Sequence, residues 1–354
     1  MPAVSPDGGC CGEQAKPPAG LPQASTGVAS TGVASTGVAS TGVASTGVAS
    51  TGVASVLRAL AVLGEAPEPE HAEVARILGL PSPPDAAEHT RVMLFECHPF
   101  ASVHLGGKGM LGGEAAERVG GFFRALGAVP PAEPDHLVTL LGFYATLVDR
   151  QMAEDDPARG LLLFQARRAL LAEHMVSWIP PFAVSVRRVG GTFYRRWAIM
   201  LIEALAAEVA AVGALDALDE SLPPALPLAL RDAPGALGDI AADDDVSVGG
   251  TKDDDLIDAV VVPVRSGMVL TRGDLVRGGA EAGLGVRVGE RRFILRAMCD
   301  QDRLSTLAWL SMEARRWAEY HAELGTSFGG VAAWWRERAE RTAAVLATAA
   351  GSRP

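Results

Sequence analysis

Beyond Val56, apolar residues recur along the chain at intervals of three and four. Between residues 135 and 150, Leu137, Leu140, Leu141, Tyr144, Leu147 and Val148 fall on one side of a 3.6-residue turn. Pro134, just ahead of them, suits a first helical turn. The same spacing continues over 161–178 through Phe164, Arg167, Leu171, His174 and Trp178, and Pro180-Pro181 then forbids continuation. A third helix is predicted over 193–209, with Phe193, Trp197, Met200, Leu201 and Leu205 on its stripe. Amphipathic helices joined by short breaks cannot each bury a stripe alone, so the expected class is all-α, a helical bundle. Further on, Thr271-Arg272-Gly273-Asp274 has the form of a capped helix start. Helices are also predicted over 304–321 and 331–349.

Two stretches break this pattern. From Ala24 the unit Ala-Ser-Thr-Gly-Val runs through six copies to Val53. A period of five matches neither helix nor strand, and Gly in every unit raises the entropic cost of ordering, so residues 1–55 are expected to form a disordered arm. Residues 216–258 are rich in proline and glycine and carry aspartate triplets at 243–245 and 253–255. They read as a solvated linker, because the glycine and twelfth-position glutamate of a calcium loop are missing. The expected organisation is the arm, a helical body over 56–215, the linker, and a mostly helical extension over 259–354.

Composition narrows the function. Apolar residues make up 48%, enough for a sizeable core, and 42 acidic against 31 basic side chains give a net charge of -11. That balance disfavours nucleic acid and anionic lipid and suits a ligand carrying Arg or Lys. Cys10, Cys11, Cys97 and Cys299 form no regular framework and read as reduced thiols. No basic, apolar secretory start and no run of about 18 apolar residues is visible, so a cytoplasmic protein without stable membrane insertion is expected.

Three blocks in order carry a resemblance. They are Pro99-Phe100-Ala101-Ser102-Val103-His104-Leu105 with the helix-like 117–127; Glu133-Pro134-Asp135-His136-Leu137; and Phe164, Glu173-His174-Met175 and Trp178-Ile179-Pro180-Pro181-Phe182. Together they resemble the TorD/DmsD/NarJ redox-enzyme maturation chaperones. Phe100, Ala101 and His104 depart from the residues often found at those places in the family. The resemblance implies binding without catalysis and without a cofactor. The partner it implies is the twin-arginine leader or amino terminus of a molybdoenzyme catalytic subunit, with cofactor insertion and export proofreading as the task, and it leaves a homodimer open. Asp135 and His136 match the motif as binding residues. A carboxylate at a helix start can grip a guanidinium, and Glu133, Pro134, His174, Trp178 and Phe182 complete the expected peptide-binding set. The rival reading is a nucleotide- or metal-dependent enzyme. It would use the glycine loop 106–113, where Gly107-Lys108-Gly109-Met110-Leu111-Gly112 fits G-x-G-x-x-G and 92–95 could be the preceding strand, or Cys97, His98 and His104 as zinc-type ligands.

Overall fold

The stripe of residues 137–148 does what its spacing predicts: Leu140, Leu141, Tyr144 and Val148 are wholly buried. Around it, a computed structural model describes residues 42–215, 226–237, 239 and 252–351. Among the described residues there are fifteen α-helical and two π-helical segments and no strand, an all-α fold. The body is built from α1 (Gly42–Val62), α2 (His71–Ile77), α3 (Ala86–His89), α4 (Ala101–Leu105), α5 (Glu114–Ala125), α6 (Leu137–Met152), α7 (Pro157–Ala169), α8 (Ile179–Val189) and α9 (Thr192–Val212). Helix α1 packs on α6 and α9, α6 on α7, and α8 on α9. Two π-helical turns, Thr90–Glu96 after α3 and Leu170–Met175 after α7, close with Cys97 N–H donating to Val92 O and Val176 N–H to Leu171 O. Residues 92–95 are therefore helical, not the strand that a dinucleotide-binding unit would need.

Helix α1 corrects one expectation. It starts at Gly42, inside the pentapeptide repeat, and Ala54 of the last partial copy is buried with Leu57, Leu60 and Ala61. Anchoring by the leucines supplies the nucleus, after which each further residue adds a hydrogen bond, so the repeat is carried along although its own period is five. The expected arm over 1–41, including Cys10 and Cys11, and the linker segments 216–225 and 240–251 with the triplet 243–245 lie outside the described residues.

After α10 (Leu228–Arg231) come α11 (Lys252–Val260), α12 (Pro263–Ser266), α13 (Arg272–Glu281), α14 (Arg291–Gln301) and α15 (Arg303–Ala349). The predicted cap at 271–274 is present: the Thr271 hydroxyl accepts from Asp274 N–H and the Asp274 carboxylate accepts from Thr271 N–H. The two helices predicted over 304–321 and 331–349 join as α15, broken at Gly329, whose φ of 47° lies in the left-handed region open to glycine. A second glycine permits a close crossing: a Cβ on Gly267 would stand 2.4 Å from Ala339 N.

Residues 259–351, expected as an appended extension, share one buried core with the body. The Trp335 indole donates to Ser177 O (2.9 Å), and Phe328, Val331 and Trp335 are buried in that core. Arg188 of α8 meets Asp274 (3.1 Å) and Glu313. No single described helix is long and apolar enough to cross a membrane. A bent pair, Pro157–Met175 with Ile179–Val189 at 53°, meets the length and composition together, yet residues 179–186 are buried against protein.

Candidate functional site

The three motif blocks converge on α4, all five residues of which are buried. Phe100 ahead of it has no side chain able to cap, so the first N–H groups of α4 need acceptors from elsewhere. Asp135 supplies them: Ala101 N–H donates to its carbonyl (3.0 Å) and Ser102 N–H to its Oδ2 (2.9 Å). Leu137 N–H returns a bond to Pro99 O (2.8 Å), Phe100 and His136 form an antiparallel bridge, and their rings meet edge-on at 4.7 Å. His136 is the cap of α6, its Nδ1 accepting from Val138 N–H (3.3 Å). An accepting Nδ1 leaves the proton on Nε2, so the ring is neutral. Burial holds its pKa below the ordinary histidine value, while Glu133, Asp135 and Glu65 pull it upward.

This changes the role expected for Asp135. The carboxylate is 3% exposed and committed to α4, so it positions the loop and offers nothing to an incoming guanidinium. Asp135→Ala should therefore destabilise the fold by about 1–3 kcal/mol through the buried donor it leaves unsatisfied. A denaturation midpoint equal to that of the parent protein would show that α4 needs no such cap.

The third block is also packed. Trp178 and Phe182 are wholly buried and His174 is 8% exposed. The Trp178 indole donates to His174 O (2.9 Å), the His104 ring stacks on Trp178 at 5.2 Å, and Phe182 approaches His104 edge-on at 5.7 Å. Trp178 and Phe182, expected among the peptide-binding residues, are therefore core. The helical stripe of Trp178 pointed to burial as readily as to a ligand, and the packing shows burial for both residues. His104 Nε2 must donate to His98 O (3.0 Å), since a carbonyl only accepts, and Nδ1 has no partner among the described residues.

Burial pushes His104 to about 3 and His174 to about 4, and it does the same to His321, at about 4, whose Nε2 donates to Gly267 O. All three are neutral when folded and take up a proton more readily when unfolded. Their contribution is complete above the unfolded value near 6.5 and is lost as pH falls toward 4. Between pH 7 and 5 these rings alone should remove roughly 5 kcal/mol of stability. A urea midpoint that stays constant across that interval would contradict the assignment.

The rival metal set does not come together. Burial pushes the Cys97 thiol up to about 12; it accepts from the Ser185 hydroxyl (3.1 Å). No cluster of three or more metal-type ligands occurs among the described residues.

Part of the expected set does reach solvent. Glu133 is exposed and Pro134 and His136 are half-buried. Glu65, also exposed, is close enough to act on His136, and Leu126 (39% exposed) and Val129 (90%) project from the loop leading to Glu133. The accessible corner thus offers two carboxylates and two apolar side chains. Glu65 was not visible as a site residue in the sequence, because it lies about 70 residues from the motif.

Residues 86–184 match the family model described as nitrate reductase delta subunit. That segment contains all three blocks and both π-helical turns. The family is the NarJ/TorD-type one, of assembly chaperones for molybdoenzymes and not of catalysts. No curated protein matches the chain, and the part after α8 lies beyond the family match.

Proposed function

We propose that this chain is a maturation chaperone that holds the leader or amino terminus of a molybdoenzyme catalytic subunit in the cytoplasm until the cofactor is inserted. The observation that carries the reading is the family match over 86–184, centred on the clamp between residues 99–105 and 133–137. The chain's own chemistry supports a cationic client. It carries a net charge of -11, and the exposed edge of the clamp presents Glu65 and Glu133 beside the Nε2–H of His136. Surface carboxylates of this kind steer an arginine-bearing segment and fix its register more than they add affinity. Leu126 and Val129 would cover the apolar part of the leader. Pro134 and the buried Asp135, His174, Trp178 and Phe182 act behind this edge by holding α4, α6 and α8 in place.

The test is retention of a synthetic twin-arginine leader on the immobilised full chain. Glu65→Gln with Glu133→Gln should weaken retention several-fold with helix content unchanged. Replacing both leader arginines by glutamine should do the same. Equal retention of the parent and glutamine leaders would remove arginine recognition from the proposal.

A further inference from the structure

The glycine loop that failed as a dinucleotide fingerprint borders a cleft of about 980 Å³. One wall is Phe95, His98 and the loop at Gly107, Lys108 and Gly109. The facing wall comes from α12, α13 and α14 and carries Arg265, Arg272 and Arg291. These four cations come from four separate places in the sequence of an acidic chain. None of them has an ion pair with a carboxylate among the described residues.

Their existing bonds hold them in place without neutralising them. Arg265 Nε donates to Gly107 O (3.1 Å), Arg291 Nη1 donates to Leu270 O (2.8 Å), and the Arg272 guanidinium lies 5.4 Å from the Phe95 ring centre. Carboxylates also line the cleft, but Asp258 is taken by Arg292 (2.5 Å) and Asp239 by Arg341 (3.9 Å), which leaves Asp255 and Glu290. Burial lowers the pKa of Arg291 and Arg272 adds to this, while Cys97 and Glu96 oppose it only in part. An unneutralised cation in a desolvated position is costly, and a bound anion offsets that cost.

We propose that this cleft binds a phosphate-bearing small molecule. The phosphate would sit between Lys108 and the guanidinium groups of Arg265, Arg272 and Arg291. Guanidinium forks match phosphate oxygens two at a time, and Lys108 adds a point charge. Gly107 and Gly109 keep the loop backbone bare, and Gly109 holds φ at 61°, so a ligand oxygen can approach the main chain closely. Phe95, Met110, Val261 and Val262 supply an apolar wall for the organic part of the ligand, and the volume is that of a small-molecule site. A cationic leader is repelled from this wall, so the site is separate from the Glu65 and Glu133 edge and stands or falls independently of it.

Isothermal titration of the full chain in low-salt, phosphate-free buffer tests the proposal with inorganic pyrophosphate and with ADP. Both should bind, ADP more tightly through the apolar wall, and raised salt should weaken both. Lys108→Gln combined with Arg272→Gln replaces two side chains outside the core, so helix content should be retained while affinity for both probes falls at least tenfold. Leader retention by this variant should be unchanged. Absence of binding by the parent protein would overturn the proposal, as would undiminished binding by the double variant, which would mean an adventitious ion only. A glutamate-rich peptide that protects the cleft from chemical modification of Arg272, where pyrophosphate does not, would assign it to an acidic protein segment instead.

Discussion

Arg167→Ala is expected to lower folding stability by about 3–5 kcal/mol, the range found when one partner of a buried ion pair is removed. Arg167 on α7 is 4% exposed at its side chain and Glu208 on α9 is fully buried; their Nη2 and Oε2 are 3.1 Å apart. Tyr144 on α6 completes the group, receiving Arg167 Nε–H (3.0 Å) and donating its hydroxyl to Glu208. Burial and the nearby Glu208 charge both push the Tyr144 phenol well above its ordinary value, so it stays a donor. With alanine at 167, the buried Glu208 carboxylate would lose its counter-charge and keep only the phenol to bond, while its Oε1 already has no partner among the described residues. Arg167→Met combined with Glu208→Leu removes both charges and should recover most of the loss. Guanidinium denaturation of the three proteins is the measurement. An Arg167→Ala cost below about 1 kcal/mol would mean that water reaches the pair.

Arg188→Ala should be as costly and more localised. Its guanidinium bridges Asp274 on α13, 1% exposed, and Glu313 on α15, fully buried, with the Trp317 and Tyr320 rings each 5.2 Å from it. Two buried carboxylates would lose their shared counter-charge, while Arg277 and Arg316, both about 40% exposed, keep a partial hold on them. A loss of about 3 kcal/mol or more follows. Because the three partners lie on different helices, amide exchange should rise most in α13 and in α15 before Gly329. Arg188→Lys should restore little, since a single ammonium cannot fork between two carboxylates and stack on two rings. Exchange that rises uniformly over the chain would mean that these helices do not open separately.

Much of the fold was legible because burial and periodicity coincide. The stripe at 137–148 became α6, and Thr271 and Asp274 gave the capping box; Pro180-Pro181 was read only as the end of the preceding helix, whereas α8 begins there. Features set by distant partners were not legible. Asp135 caps a helix 33 residues away, and the four cations of the cleft are adjacent only in space. The π-helical turns each shift the register by a residue, which the 3.6 period cannot represent. One signal was present and unused: Arg167 sits among the apolar residues of its stripe, and a charge on a core-facing position implies a buried partner such as Glu208. The functional set failed in a similar way. Trp178 carried the family pattern and the helical stripe at once, Phe182 the family pattern alone, and both serve the core.

The Trp335 bond to Ser177 and the core common to α1 and α15 bear on recombination. Grafting residues 86–184 into another scaffold, or cutting the chain near 258, would take away Trp317, Phe328 and Trp335 and uncover the surfaces of α8 and α9 against which α15 packs. Chimeras should stay in solution only when the tail travels with the segment it shields.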